Sequence, residues 1–306
     1  MSTAPRGKRA RTLSTVSGSG LQIGEKQNAE HMQSAQSVLR KRDEEFWYCD
    51  GSIILVAGDV EFRIYKGLLA DHSPVFKDMF SLPQPPATAS PTNDPCPVVY
   101  LSDSPDDLRH VLRAYMPKGD YSPFYVSAPS YSYEELSAAI RLGHKYQMAK
   151  LLDHAIAYLK KYYVCDFDTW ASYPDYTPAG FGFTAHAIGV VNLARLTEET
   201  TLLPTALLAC CALNEDVVEG FIREDDTREQ LTPDDLKRCL AAKDRLIKAA
   251  IKIAFCIFRP AVADRCQSRV SCTDTFKIVT ANLDSHIDEI ANPDLWTRRQ
   301  MGLDTR

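Results

Sequence analysis

Two β-forming runs, "IILVA" at Ile53–Ala57 and "VEFRI" at Val60–Ile64, stand only Gly58-Asp59 apart. A two-residue connection of this kind makes a hairpin, and glycine at its first position is what a type II′ turn requires. The first run is apolar throughout, so its strand is buried on both faces. The second alternates, with Val60, Phe62 and Ile64 opposite Glu61, Arg63 and Tyr65. That strand has one buried face.

The text that follows supplies cover for such a sheet. "KGLLADH" is too short for a long helix. Ser73 caps the next one and Pro74 takes its first position, where a missing N–H costs nothing. Val75, Phe76, Met79 and Phe80 then share a helical face. Residues 81–97 hold most of a Pro-rich loop. Val98–Leu101 is a third strand. Ser104, Pro105, Asp106 and Asp107 mark a helix start, and Leu108, Val111, Leu112 and Tyr115 form its apolar stripe. A second irregular stretch runs from Pro117 to Tyr131. Ser132 and Glu135 have capping-box spacing and open a helix with Leu136, Ala139, Ile140 and Gly143 inward. Lys150 begins another, with Leu152, Ala155, Ile156, Leu159 and Tyr163 inward.

Order is expected to begin near Phe46 and Trp47. Residues 1–45 are rich in Ser, Gly, Gln, Lys and Arg and read as a disordered tail. The fold class is therefore α+β: a three-stranded sheet with helices over residues 46–164, followed by an all-α region over 165–290 and a polar tail over 291–306. The helical region carries "TAHAIGVVNLARLT", "LLPTALLACCALN", a long helix opened by Thr232, Pro233 and Asp235, and a last helix near Asp274–Leu283. Its apolar faces suggest packing on the last helices of the first unit.

Four separated words carry a family resemblance: "DGSIIL", "FRIYKGLLADHSPVFKDMF", "VVYLSDSPDDLRHVLRAYM" and "IRLGHKYQMAKLLDHAIAYL". In this order they resemble a BTB/POZ domain over about residues 46–163. "VVNLARLTEETTLLPTALLACC" and "LTPDDLKRCLAAKDRL" are similar to the helical tail of fungal BTB proteins. The resemblance implies a protein-interaction module acting as adaptor or scaffold. Many members dimerise, some bring substrates to cullin-type ubiquitin ligases, and others recruit transcriptional co-regulators.

The chain departs from the family pattern at three points. Tyr65-Lys66 stands where the family has a His before the Lys, while the family's Asp is present as Asp50. The loop beginning Phe80-Ser81-Leu82 lacks the Glu of the hydrophobic-x-Glu motif found in cullin-binding members. The N-terminal strand and helix used for swapped dimers are not evident. Phe80 and Leu82, at a helix end leading into the loop, are the candidate protein-binding residues.

No catalytic residue, cofactor site or metal site is expected. The sequence has no GxSxG, phosphate-binding GxxxxGK[ST], HExxH or dinucleotide-type glycine triplet. "GSG" at Gly18–Gly20 belongs to the tail. His72, His144, His154 and His186 align with no nucleophile. The nine cysteines are odd in number and irregularly spaced, which reads as free thiols in a reducing compartment. Cys256, Cys266 and Cys272 lack the close pairs of a zinc site, and Cys210-Cys211 read as small hydrophobes. Tyr173–Phe183 mixes aromatic and glycine residues and reads either as a binding loop or, more simply, as a connector. An enzyme with an unrecognised site in the helical half is the competing class.

The net charge of −5 argues against a nucleic-acid partner, and no apolar run approaches a membrane span. The expected partners are proteins: a second copy, or a cullin. The expected location is cytoplasmic or nuclear. Gly7–Arg11 and Arg40-Lys41-Arg42 read either as nuclear import signals, which would suit a nuclear co-regulator, or as solvated charge runs.

Overall fold

The computed structural model describes residues 40–82, 96–117, 130–172, 177–182, 184–257, 261–282 and 285. The expected tail over 1–39, most of the two irregular stretches and the tail over 291–306 lie outside the described residues.

The sheet has four strands: β1 (Lys41–Trp47), β2 (Ile53–Ala57), β3 (Val60–Ile64) and β4 (Val98–Leu101), in the order β1-β3-β2-β4. β2 and β3 pair antiparallel with Ala57 opposite Val60, so only Gly58 and Asp59 turn the chain. Gly58 has φ 57°, the positive value the first turn position demands. β4 joins β2 in parallel. β2 is buried at every position: Ile53, Leu55 and Ala57 face the main core, while Ile54 and Val56 lie under Trp47, Cys96 and Val98.

β1 corrects the three-strand expectation, and it corrects the tail boundary at Lys41–Glu45. "KRDEE" carries only charges, yet the segment pairs parallel with β3. Asp43 is buried and Phe46 is completely so. The strand is held by ions whose partners lie far along the chain. Arg109 reaches Asp43 at 2.9 Å and Arg113 reaches Glu45 at 2.7 Å. Asp43 Oδ1 also accepts from the Glu45 and Phe46 amides, and there the β1–β3 register shifts. The cluster Arg40-Lys41-Arg42 is thus part of ordered structure. Arg40 lies 3.7 Å from Glu61 and 5.0 Å from the Tyr100 ring centre, and Arg42 lies over Trp47.

Helices α1 (Lys66–His72), α2 (Pro74–Ser81), α3 (Pro105–Tyr115), α4 (Tyr133–Lys145) and α5 (Ala149–Leu159) complete the first unit. Their starts follow the sequence signals. Ser73 accepts from the Phe76 amide, Ser104 from the Asp106 amide, and Ser132 and Glu135 form both halves of a capping box. The main core joins Phe46, Leu55, Phe62, Ile64, Leu69, Phe76, Leu108, Leu112 and Met148. Each large side chain buried there contributes about 1.5–3 kcal/mol.

The second region holds α6 (Phe167–Ser172), α7 (His186–Leu196), a 3-10 turn at Thr200–Leu202, α8 (Leu203–Ala212), α9 (Asp216–Glu219), α10 (Pro233–Ile257) and α11 (Arg269–Ala281). The helical reading holds, apart from a small hairpin of β5 (Phe221–Ile222) and β6 (Arg228–Glu229). α11 begins at Arg269, five residues before the expected Asp274, and ends at Ala281. Thr232 caps α10 through the Asp235 amide at 3.2 Å.

The region packs on α4 and α5, as the apolar faces suggested. Tyr133, Leu136 and Ile140 of α4 share a core with α7 and α8, while Ala138 and Leu142 of the same helix belong to the sheet core. Tyr133 is the pivot. It is 1 % exposed, donates to Glu229 at 3.0 Å, stacks on His186 at 4.5 Å and meets Phe181 and Phe221 edge-on. A Cβ on Gly189 of α7 would fall 1.9 Å from the Tyr133 hydroxyl. Gly189→Ala is therefore expected to destabilise the chain by about 1–3 kcal/mol through overpacking. Urea unfolding followed by circular dichroism measures it.

Candidate protein-docking site

α2 is anchored at its start. Ser73, buried at the cap, donates its hydroxyl hydrogen to the Tyr146 carbonyl at 2.5 Å while accepting from Phe76. Phe76 stacks on Tyr146 with centroids 4.2 Å apart and on Phe80 at 5.5 Å. The Tyr146 hydroxyl donates to Asp103, and Lys145 donates to the same carboxylate at 2.6 Å. Burial, then the bond to Asp103, raises the Tyr146 phenol well above its ordinary pKa, so it stays protonated and donating. Three stacked rings and a charged bracket thus hold α2 in place.

The two sequence-derived candidates sit at the other end of α2 and differ in environment. Phe80 is partly buried and packs on the main core. Leu82 follows in extended conformation, φ −69° and ψ 141°, with 64 % of its surface exposed. Stacked aromatic rings thus hold the helix, and one solvent-facing aliphatic side chain follows its last residue. Single exposed apolar residues are common on protein surfaces. What distinguishes this one is that it directly follows a helix held by stacked rings.

At the strand–helix junction, Tyr65 keeps a bond to Asp50 where the family pattern has a His. Its hydroxyl donates to Asp50 Oδ1 at 2.6 Å, and Lys66 N donates to Ser52 Oγ. The bond to Asp50 pushes the Tyr65 phenol up to about 12. Asp50 is exposed, so this is a surface pair rather than a buried one.

The other candidates resolve individually. His144 is exposed, His72 stacks on Tyr115, and His154 shares a 3.3 Å contact with the Tyr131 hydroxyl. His186 is buried among Tyr133, Phe181 and Phe221. Burial holds its pKa down at about 4. Cys210, Cys211 and Cys239 are buried between α8 and α10, with Cys211 Sγ 3.5 Å from the Cys239 carbonyl. No group of three or more His, Cys, Asp or Glu side chains that would hold a metal occurs among the described residues. Among them, too, no helix is long and apolar enough to cross a membrane.

Two features escaped the sequence reading. One is a cleft beside α6, α8 and α10, with adjoining volumes of 340 and 620 Å³ that share Pro204, Leu208 and Leu246. Among the described residues no histidine lines it, and its Asp166 carboxylate caps the Thr169 amide at 2.8 Å. The other is an ionic junction around Arg223, which binds Asp107 at 2.6 Å and Asp225 at 3.1 Å. Nearby, Arg141 binds Glu229 at 2.6 Å and His110 meets Glu224 at 2.7 Å. Apart from Arg223–Asp225, these partners lie some 90 to 120 residues apart, beyond any local pattern.

A scan against family models matches residues 40–163 to the BTB/POZ domain. A search of curated proteins found no match.

His186 yields a pH prediction. Its folded pKa, about 4, lies below the 6.5 of an unperturbed imidazole. The unfolded chain therefore binds the proton first as pH falls. The stability tied to the neutral ring is complete above pH 6.5 and is lost progressively toward pH 4. Asp107 and Glu134, raised chiefly by burial, titrate in the opposite sense, so the useful comparison removes only the imidazole. His186→Phe should gain on the parent by up to about 3 kcal/mol between pH 7 and pH 4. Urea unfolding of both proteins across that range checks it.

Proposed function

Residues 40–163 belong to the BTB/POZ family of protein-interaction domains, and from this premise we propose that the chain is an adaptor or scaffold whose first docking point is the end of α2, at Phe80 and Leu82. The observation that carries the reading is Leu82, exposed directly after the helix that the Phe80–Phe76–Tyr146 stack holds. Such preorganisation reduces the ordering cost of binding. The specific version is a substrate adaptor for a cullin-type ubiquitin ligase, acting in the cytoplasm or nucleus. One surface engages the common partner and the helical region selects a target, so binding rather than chemistry does the work. The family is one of interaction modules rather than enzymes.

Size exclusion with light scattering tests this, with the chain run alone and mixed with a cullin N-terminal domain. A co-eluting complex is expected. Leu82→Asp should weaken it at least about tenfold, about 1.4 kcal/mol, with thermal stability unchanged because the side chain is exposed. Phe80→Ala should weaken it and also lower stability, since its ring packs on Phe76. A stable dimer without a complex would shift the assignment to a scaffold or a nuclear co-regulator. A monomer without a complex would remove both.

A further inference from the structure

We propose that Cys266 and Cys272 form a thiol–disulfide exchange site, whose substrate is a small disulfide of the oxidised-glutathione class. Their sulfurs lie 3.6 Å apart, in direct contact, and both residues are partly exposed. Cys266 sits in the turn before α11, its amide bonded to the Ala263 carbonyl at 3.0 Å. Cys272 lies in the first turns of α11, its amide bonded to the Ser268 carbonyl at 2.9 Å. Asp264 and Arg269 close the same loop at 2.9 Å. The loop is therefore built so that the two thiols meet, whereas the other partly or fully exposed cysteines, Cys49, Cys165 and Cys256, have no sulfur against them among the described residues.

The surroundings favour an anionic disulfide. Arg265, next to Cys266, is exposed and makes no ion pair among the described residues. It offers a free cation to the carboxylates of a glutathione-type molecule. Contact with Cys266 raises the pKa of Cys272, which keeps its proton longer and suits the second, resolving role.

The exchange balances as follows. Cys266 loses its proton to water, and its thiolate attacks one sulfur of the small disulfide. A mixed disulfide forms and the first small thiolate leaves. Cys272 then loses its proton and attacks Cys266 Sγ. The Sγ–Sγ bond forms and the second small thiolate leaves, each thiolate taking up one proton. The two cysteines are oxidised by two electrons and the small disulfide is reduced to two thiols. No residue of α11 is buried, so the new bond would tie this helix to the loop before it.

Trypsin separates the two sites, because Arg269 divides "CQSR" from "VSCTDTFK". The full chain is incubated with oxidised glutathione, alkylated and digested. The expected product is CQSR joined to VSCTDTFK, released by dithiothreitol and formed at least about tenfold faster in the folded chain than in concentrated urea. Cys272→Ser should trap a stable glutathione adduct on CQSR, and Cys256→Ser should leave the linked product unchanged. The proposal is overturned by linkage no faster than in urea, by glutathione persisting on the parent chain without linkage, or by the absence of an adduct in Cys272→Ser.

Discussion

The contact between Tyr133 and its surroundings decides how the two halves of the chain relate. The side chain leaves the first turn of α4, inside the BTB/POZ domain, yet among the described residues every ring it touches belongs to the second region. Its hydroxyl is satisfied by Glu229, which also holds Arg141 and Asn192. A phenol buried this deeply without a partner would cost several kcal/mol. The hairpin β5–β6 is what places Glu229 there, and Gly189 is what lets α7 approach closely enough to complete the site. The second region is thus built onto α4.

Around that pivot the junction is ionic. Arg223, mostly buried, is shared by Asp107 and Asp225, with Glu134 and Glu229 slightly further away. Buried ion pairs seldom add much net stability, because desolvation opposes the attraction. Removing one partner is nonetheless costly, so the network favours one docking geometry over others. The same logic holds β1, where Asp43 and Glu45 are bound by Arg109 and Arg113 of α3. In both places charges do the positioning that apolar side chains do elsewhere in the fold.

The candidate site was partly legible. Phe80 and Leu82 could be named because a capped helix ended at a Pro-rich segment, and both lie at that end of α2. Their difference could not be read. Helical periodicity puts Phe80 on the apolar stripe, but only the position of Tyr146, far along the chain, shows that the Phe76 ring beneath it is locked. The strand β1 was missed for a related reason. "KRDEEFW" has the composition of a solvated segment, and the arginines that bind its buried Asp43 and its Glu45 lie more than 60 residues away.

By itself the sequence determined the local architecture: the Gly58-Asp59 hairpin, the strand buried on both faces, and the helix starts at Ser73, Ser104, Ser132 and Thr232. These follow from backbone sterics and from hydrogen bonds spanning at most a few residues, which a linear pattern records. Tertiary structure alone decided the fourth strand, the seating of the second region on Tyr133, the ionic junction and the meeting of Cys266 with Cys272. Three of these depend on pairs brought together from distant positions, and charged or polar side chains carry no periodicity that announces a distant partner. The two cysteines are close in sequence, yet their contact depends on how the loop before α11 turns.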